Sequence, residues 1–287
     1  MKLTADNYFS AEAAKEYCSV SQLKQFIGSG GQWGCEERAL AEINGEIPQP
    51  EPTQAMLLGS YVDCMLLEPK KQKEFEQNHP EMFKKDGNLY AAYDIAPEMV
   101  KTAKADKVFM TALNGKKQQI LTGEIYGVPF RIKVDVLGDK KITDLKTCAS
   151  ITESKYNPVD GRYENFAEFY DYDLQGAIYQ EIVRQNTGKK LPFFLACISK
   201  EKTPDHEVIW IDDESLEERL RAEQANIVHV GMLKSGEVKP RRCGVCEYCR
   251  SKKRIKKALN WREIGGELEN DIHVYDSDEA EKTTKSK

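Results

Sequence analysis

Two stretches in the middle of the chain alternate hydrophobic and polar residues with the two-residue period of a β-strand. They are residues 128–137, which end in RIKVDVL, and residues 142–148, which read ITDLKTC. The sequence GDKK between them predicts a turn, because glycine tolerates the positive φ of a tight connection. A third strand is predicted just before this pair, over about 118–126.

Predicted helices lie before and after these three strands, and two further strands follow them. Helices are predicted from Ser19 or Ser21 to Gly28, for about ten residues after Cys35, from Thr53 to Pro69, over 97–113, from Asp173 to Gly188, and over 213–233. Two more strands are predicted over 192–199 and 206–211, and residues 70–94 are predicted to be irregular. The order helix, three strands, helix, strand indicates an α/β core with a mixed sheet.

The strand pair carries a charged face. Arg131, Lys133 and Asp135 alternate on the first strand, and Asp144 and Lys146 share one face of the second. If these faces coincide, two carboxylates converge with one ammonium group, and carboxylate oxygens are the ligands that Mg²⁺ prefers. Such a metal activates water against a phosphodiester, and the lysine can orient or deprotonate that water. The simpler alternative is a solvated strand face.

Two of the predicted helices carry polar residues in apolar surroundings. Asp63 lies in TQAMLLGSYVDCMLLEP, where a buried carboxylate needs a partner, although an exposed polar stripe is the alternative. In the helix DLQGAIYQEIVRQNTG, Tyr172, Gln175 and Tyr179 fall on one face at positions i, i+3 and i+7. These side chains are candidates for a site shared with the strands.

Composition limits the class of protein. The chain has 287 residues, 40% of them hydrophobic and 31% charged, which suits one large domain or a core with an appendage. No apolar run approaches the roughly 18 residues of a membrane span, and MKLTADNYFS lacks the apolar segment of a signal peptide. We therefore expect a cytoplasmic protein without a membrane partner, in which eight cysteines indicate metal binding rather than disulfides.

Charge is segregated near the end of the chain. The net charge is −5, yet residues 239–262 contain ten lysines and arginines against one acid, while 265–287 contain seven acids against three lysines. This pattern predicts a local site for a polyanion followed by an unstructured acidic tail. The expected organisation is an N-terminal helical segment over 1–52, a core over 53–235, a basic cysteine segment over 236–264 and the tail.

The basic segment contains the sequence RRCGVCEYCRSKKR. Its three cysteines, Cys243, Cys246 and Cys249, have the C-x₂-C-x₂-C spacing of a 4Fe–4S cluster, whereas structural zinc more often pairs two separated C-x₂-C units. Cys35 is the best candidate for a fourth ligand, because it follows a glycine-rich loop outside the core elements. Zn²⁺ is the alternative metal. The other four cysteines are expected to be small buried hydrophobic residues: Cys18, Cys64, Cys148 and Cys197.

Five stretches together resemble the PD-(D/E)xK nuclease superfamily, and more closely its phage and prophage members of the RecE type (exodeoxyribonuclease VIII). They are SVSQLKQF, LGSYVDCMLLEP, KVDVL followed by DLKT, DLQGAIYQ and RCGVCEYCR, and the resemblance covers most of residues 7–255. It implies a restriction-endonuclease-like αβββαβ core, a mixed sheet flanked by helices, with a cysteine-cluster extension. The metal-binding acids map to Asp135 and Asp144, the lysine to Lys146, and the Gln-x-x-x-Tyr helix to Gln175 and Tyr179.

The resemblance has one departure and one extension. A helical histidine commonly precedes the core in such exonucleases, and here Asp63 takes that position as a possible metal ligand, with the Leu145 carbonyl as another. The cysteine arrangement resembles AddB-type helicase-nucleases and CRISPR-adaptation nucleases, in which one cysteine before the core and three after it join the chain ends.

The function that the resemblance implies is Mg²⁺- or Mn²⁺-dependent hydrolysis at double-stranded DNA ends. The single-stranded tails would pass to a phage annealing protein in a bacterial or phage-infected cell, and some relatives are ring-shaped oligomers. Arg131, Lys133 and the basic segment are expected to meet DNA phosphates. Two alternatives stay open: a CRISPR-adaptation-like or endonucleolytic enzyme on the same core, and a DNA-binding iron–sulfur protein without activity.

Overall fold

The computed structural model describes residues 1–48, 50–255 and 261. Its strands, in chain order, are β1 (Gly28–Ser29), β2 (Gln32–Trp33), β3 (Lys116–Ile125), β4 (Val128–Leu137), β5 (Ile142–Cys148), β6 (Lys155–Asn157), β7 (Arg162–Glu164), β8 (Phe193–Ser199) and β9 (His206–Ile211). The central sheet has the order β3-β4-β5-β8-β9. Strands β5 and β8 are parallel and the other neighbours are antiparallel, so the predicted mixed sheet is confirmed.

Helices surround this sheet. In chain order they are α1 (Ala11–Glu16), α2 (Val20–Ile27), α3 (Glu36–Asn44), α4 (Gln54–Leu67), α5 (Gln72–Asn78), α6 (Ala96–Ala105), α7 (Lys107–Ala112), α8 (Phe166–Phe169), α9 (Tyr172–Thr187), α10 (Asp213–Ala222), α11 (Gln224–Ser235) and α12 (Glu247–Ser251). Short 3₁₀ turns occupy Pro69–Lys71 and Pro80–Met82. In the described part of the chain, no helix is long and apolar enough to cross a membrane.

The sheet separates two hydrophobic clusters. On one face, α2, α9 and α11 pack on β4 and β8, and Leu23 and Ile178 are fully buried there. On the other face, α4, α6 and α7 cover β5 and β8, with Val62 and Met99 fully buried. Because α2 and α3 share the first cluster with the sheet, residues 18–43 of the N-terminal segment pack against the core.

Four local expectations differ from the structure. The region 97–113 forms two helices, because Asp106 is extended and its side chain caps the second one at the Phe109 amide. The region 213–233 likewise divides at Glu223. Helix α5 lies within 70–94, and the connection between β5 and α9, for which no element was predicted, contains the hairpin β6–β7 and helix α8. The predicted acidic tail lies outside the described residues.

Candidate active site and cysteine cluster

The strands β4 and β5 separate at the position where their acids meet. Their ladder pairs Leu137 with Ile142 and Val136 with Thr143, so Asp135 and Asp144 are next in register. In place of a further ladder bond, the Leu145 amide donates to Oδ2 of Asp135 at 3.0 Å. Since the N–H and C=O of one strand residue point to the same side, the Leu145 carbonyl also faces this opening.

Asp144 is buried and contacts two elements. Its Oδ1 accepts a hydrogen bond from Nε2 of Gln175 on α9 at 2.7 Å, and its Oδ2 lies 2.5 Å from Nζ of Lys146. That Oδ2 has no partner with good hydrogen-bond geometry. Nζ of Lys146 also lies 4.6 Å from the centroid of the Tyr172 ring. The parallel register of β5 on β8 places Asp144 and Lys146 on the sheet face that α9 covers.

Asp63 reaches the same site from the opposite face of the sheet. Helix α4 approaches β5 closely at Gly59, where a Cβ atom would lie 2.9 Å from Oγ1 of Thr147. A side chain at position 59 would therefore push the helix away from the strand. Asp63, one turn further along, is half-buried, and its carboxyl group lies near enough to Asp135 and Asp144 to sense their charges.

The three acids repel one another electrostatically. Burial, and then the charges of Asp135 and Asp144, raise the pKa of Asp63 well above its usual value. Burial and the charge of Asp144 raise the pKa of Asp135 to about 7. Burial is the largest influence on Lys146 and lowers its pKa, but the charges of Asp144 and Asp135 and the contact with Tyr172 together outweigh it, so the pKa is raised and the amine is an ammonium at neutral pH.

This donor set fits a divalent cation. The Lys146 ammonium contacts Asp144, a buried oxygen of Asp144 lacks a hydrogen bond, and the charges of Asp135 and Asp144 both act on Asp63. Buried charge without compensation is costly, and a cation with oxygen ligands supplies the missing compensation. The residues that would hold it are Asp135 and Asp144, together with Asp63 and the Leu145 carbonyl.

The structure gives each of the other predicted site residues, Gln175, Tyr179 and Arg131, a definite contact. Gln175 contacts Asp144, and the buried Tyr179 donates its hydroxyl to the Lys133 carbonyl at 3.2 Å. Arg131 was expected to meet phosphates, but it is 5% exposed, donates to the Tyr8 carbonyl and stacks on the Tyr8 ring. It is therefore a structural residue in this fold.

Gln118 is a site residue that the sequence does not reveal. Its Nε2 donates to Oδ1 of Asp135 at 3.2 Å, from a left-handed backbone position at φ 50°. The β3–β4 register places Gln118 opposite Asp135. Only this cross-strand register, which the local pattern does not specify, could have identified it.

The four cysteines assigned to a metal come together. The Sγ atoms of Cys35, Cys243, Cys246 and Cys249 all lie within 4.8 Å of one another, and Cys35 and Cys249 are 3.6 Å apart. The amides of Cys246 and Cys249 donate to the preceding thiols, of Cys243 and Cys246, both at 3.4 Å. Four thiols with such amide contacts fit a metal centre.

Burial and contacts with backbone amides shift the pKa values of the thiols in this cluster. Burial alone would raise the pKa of Cys243, but amides of Val245 and Cys246 outweigh it, so this pKa is lowered and the thiolate is favoured. Burial raises the pKa of Cys35. A metal that binds here displaces these protons, so its affinity rises with pH.

Ion pairs join the same two chain segments beside the thiols. The carboxylate of Glu36 contacts the Arg241 guanidinium at 3.2 Å and His229 at 3.0 Å, and it accepts the Arg241 amide at 2.8 Å. Glu37 pairs with Arg242, and its own amide donates to the Arg241 carbonyl at 3.2 Å. The start of α3 is therefore attached to the cysteine segment by charges as well as by thiols.

Comparison with known proteins agrees with this geometry. Residues 19–252 match the family described as a PDDEXK-like domain of unknown function (DUF3799). A crystal structure of a candidate exonuclease from Eubacterium rectale is 39% identical, with a TM-score of 0.86 over 93% of this chain and 100% of that chain. The crystal structure of SSO0001 covers 78% of this chain and 96% of that chain at 15% identity, and its TM-score of 0.27 is too low to indicate a shared fold.

A comparison with curated proteins returns no significant match. The family match spans most of the chain, and the Eubacterium rectale relative is similar over its whole length. The expected relationship to the PD-(D/E)xK superfamily is thereby confirmed, whereas the closer RecE-type assignment stays a prediction. The chain belongs to the PDDEXK-like family DUF3799.

Proposed function

We propose that this protein is a metal-dependent exonuclease that hydrolyses phosphodiester bonds at double-stranded DNA ends and leaves single-stranded tails. The observation that carries this proposal is the placement of Asp135 and Asp144 where β4 and β5 separate, with the ammonium of Lys146 on Asp144 and with Asp63 near enough for its pKa to respond to both acids. Phosphodiester hydrolysis needs compensation of negative charge and an oriented water, and this group offers both in one place.

The metal residues have separate tasks. Asp135 and Asp144 would hold Mg²⁺ or Mn²⁺, with Asp63 and the Leu145 carbonyl as further oxygen donors. A divalent cation in such a site lowers the pKa of water and offsets phosphate charge. Gln118 and Gln175 each hold one oxygen of an acid, so the carboxylates keep their orientation before DNA arrives.

Lys146 acts as a cation in this proposal. Its raised pKa keeps the amine protonated at neutral pH, so it donates hydrogen bonds and offsets negative charge developing on the phosphate. Its place on the Tyr172 ring and beside Asp144 fixes the amine at the site opening. Removal of a proton from water is therefore a lesser role for this lysine than charge compensation.

The proposed substrate, partner and oligomeric state rest on the resemblance of the sequence motifs. The exonuclease activity also has support from the relative from Eubacterium rectale, which is described as a candidate exonuclease. DNA ends are the proposed substrate. A single-strand annealing protein is the proposed partner, in phage recombination inside a bacterial cell. A ring-like homo-oligomer is a further proposal, and size-exclusion chromatography with light scattering tests it.

The cysteine cluster is proposed to hold a 4Fe–4S centre that joins the two ends of the fold. The cysteine order, one before the core and three after it, favours iron–sulfur. The Sγ spacing favours a single ion, because four thiolates around an ion with bonds of about 2.3 Å are about 3.8 Å apart. About four irons per chain and absorption at about 400 nm in anaerobically purified protein would support the iron–sulfur cluster. In that case, the Cys246→Ser variant should be colourless. One zinc and no iron supports the alternative.

The decisive experiment uses pure protein, Mg²⁺ and end-labelled linear duplex, with closed circular DNA beside it. We expect progressive shortening of the linear duplex only, no reaction in EDTA, and loss of at least about 100-fold in rate for Lys146→Ala. Cleavage of the closed circle would show an endonuclease. DNA binding without hydrolysis under every metal condition would show the inactive alternative.

A further inference from the structure

A second group of lysines lies on aromatic rings next to the acidic site. Nζ of Lys24 on α2 donates to the Tyr170 carbonyl at 2.5 Å and lies 5.5 Å from the Tyr172 ring, the same ring that Lys146 contacts. Nζ of Lys155 on β6 donates to the Tyr170 hydroxyl at 2.6 Å and lies 4.7 Å from that ring. We call Lys24, Lys155, Tyr170 and Tyr172 the lysine–tyrosine subsite.

The subsite is continuous with the acidic site. The Tyr170 and Tyr172 ring centroids are 5.8 Å apart, so the path from Lys146 to Lys155 crosses two neighbouring rings. All of these side chains are half-buried, so they are held by the fold and still reach solvent. A ligand at the acidic site would therefore extend directly over this subsite.

Neither subsite lysine forms an ion pair with a described residue, although Asp171, Asp173 and Asp144 are near enough to Lys24 to raise its pKa in part. The nearby carboxylates are already engaged: Asp171 and Asp173 pair with Arg219 at 2.9 and 3.5 Å. In the β6–β7 hairpin, the Glu164 carboxylate pairs with Arg162 at 2.9 Å. The amines of the subsite contact only a carbonyl, a hydroxyl and ring faces, none of which carries a full negative charge.

Burial makes this arrangement unfavourable without a ligand. Burial, and then the charge of Lys146, lower the pKa of Lys24 to about 8. An anion between Lys24 and Lys155 would compensate their positive charges and favour the protonated form of both amines. The amines of Lys24, Lys146 and Lys155 already lie over the two tyrosine rings, so the subsite offers a ligand positive charge rather than a stacking surface. The ligand that fits two amines next to the acidic site, both without an ion-pair partner in the described part of the chain, is a phosphate group of the DNA strand.

We propose that Lys24 and Lys155 bind a DNA phosphate next to the one that is cleaved, and so fix the position of the strand in the acidic site. The inference rests on the proposed nuclease function and adds to it a defined strand contact. The phosphate is either an internal phosphodiester or the terminal monoester of the strand. Because both lysines bind through charge, this contact carries little sequence information.

The test compares Lys24→Gln and Lys155→Gln with Lys101→Gln, a matched control whose exposed amine pairs with Glu98 on α6. Hydrolysis is followed on duplexes with and without terminal phosphates. DNA affinity is measured in EDTA over a range of salt concentrations. For each subsite variant we expect KM to rise about tenfold, kcat to change less than about threefold, and the salt slope to fall by about one. Lys24→Arg should restore most of the affinity.

A loss seen only with terminal phosphates would assign the subsite to the chain end, and an equal loss on both substrates would assign it to an internal phosphate. The melting temperatures of Lys24→Gln and Lys155→Gln should equal or exceed that of the wild type, because glutamine also donates to oxygen and carries no buried charge. Unchanged KM and salt slope in both variants, with an active wild type, would overturn this inference alone. A wild type that neither binds nor cuts DNA would overturn the proposed function and this subsite with it.

Discussion

The acidic site and the cysteine cluster are assembled in opposite ways. Three of the acidic-site side chains, Asp135, Asp144 and Lys146, lie within residues 135–146, and backbone or side-chain partners already orient them. The cysteine cluster joins Cys35 to the segment 243–249, about two hundred residues further along the chain. The acidic site depends mainly on the register of two neighbouring strands. The cysteine cluster forms only when the folded chain brings its two distant segments together.

This difference separates the consequences of losing each metal. At the acidic site, the carboxylates repel one another, so loss of a bound metal would remove charge compensation but leave the sheet and its hydrogen bonds. A metal at the cysteine cluster would link distant segments, so its loss would return chain entropy to the unfolded state. We therefore expect the first site to govern activity and the second to govern stability.

Asp144→Ala should give the largest effect of all on activity. Without Asp144, the metal loses a ligand and Lys146 loses the partner that holds its amine. We expect the rate of hydrolysis to fall at least about 1000-fold, while the melting temperature in EDTA changes little because one repulsion is also removed. Activity assays and melting curves on the same preparation check this. Near wild-type hydrolysis would remove Asp144 from the active site.

Cys249→Ser should produce the opposite pattern. The variant is expected to lose its metal and about 2–5 kcal/mol of unfolding free energy, by analogy with other long-range crosslinks. Cys35→Ser should lower the unfolding free energy by about the same amount. The double variant Cys35→Ser/Cys249→Ser should lower it little further, because either substitution alone already removes a metal ligand. Chemical denaturation measures all three. Additive losses would mean that the thiols stabilise the fold separately rather than as one centre.

The sequence predicted these two sites unequally. Alternation along β4 and β5 identified Asp135, Asp144 and Lys146, because side chains on one strand face recur every second residue. Cysteine spacing identified the triplet, and its loop position identified Cys35. Gln118 and Lys24 were missed, because cross-strand register and the packing of α2 on the tyrosines are tertiary facts. For the same reason, the pattern of 97–113 could not show that Asp106 interrupts the helix.

The pH dependence of metal use should follow the acids. Burial and the charge of Asp144 raise the pKa of Asp135 to about 7, so below that pH a proton competes with the metal for this carboxylate. The Mg²⁺ concentration for half-maximal activity should therefore rise about tenfold per unit as pH falls below about 7, and level off above it. Titrations from pH 5.5 to 8.5 test this, and a flat profile would argue against Asp135 as a ligand.

Asp63→Asn should weaken metal binding without abolishing activity. The substituted amide would keep one oxygen donor but lose the negative charge beside Asp135 and Asp144, so we expect about tenfold more Mg²⁺ at half-maximal activity and a smaller change in kcat. The loss of a repelling charge should also raise the melting temperature in EDTA. An unchanged metal titration with unchanged stability would place Asp63 outside the site.

Glu37→Gln should have the smallest effect, and it tests what holds the cysteine segment in place. Glu37 pairs with Arg242, but the arginine is about half exposed, and solvent and salt screen such pairs. We therefore expect a loss below about 1 kcal/mol at low salt, which disappears in high salt. In Cys249→Ser protein the same substitution should cost more, because the ion pairs of Glu36 and Glu37 then act without the thiols. A loss from Glu37→Gln as large as that from Cys249→Ser would show that charges, and not the metal centre, join the two ends of the fold.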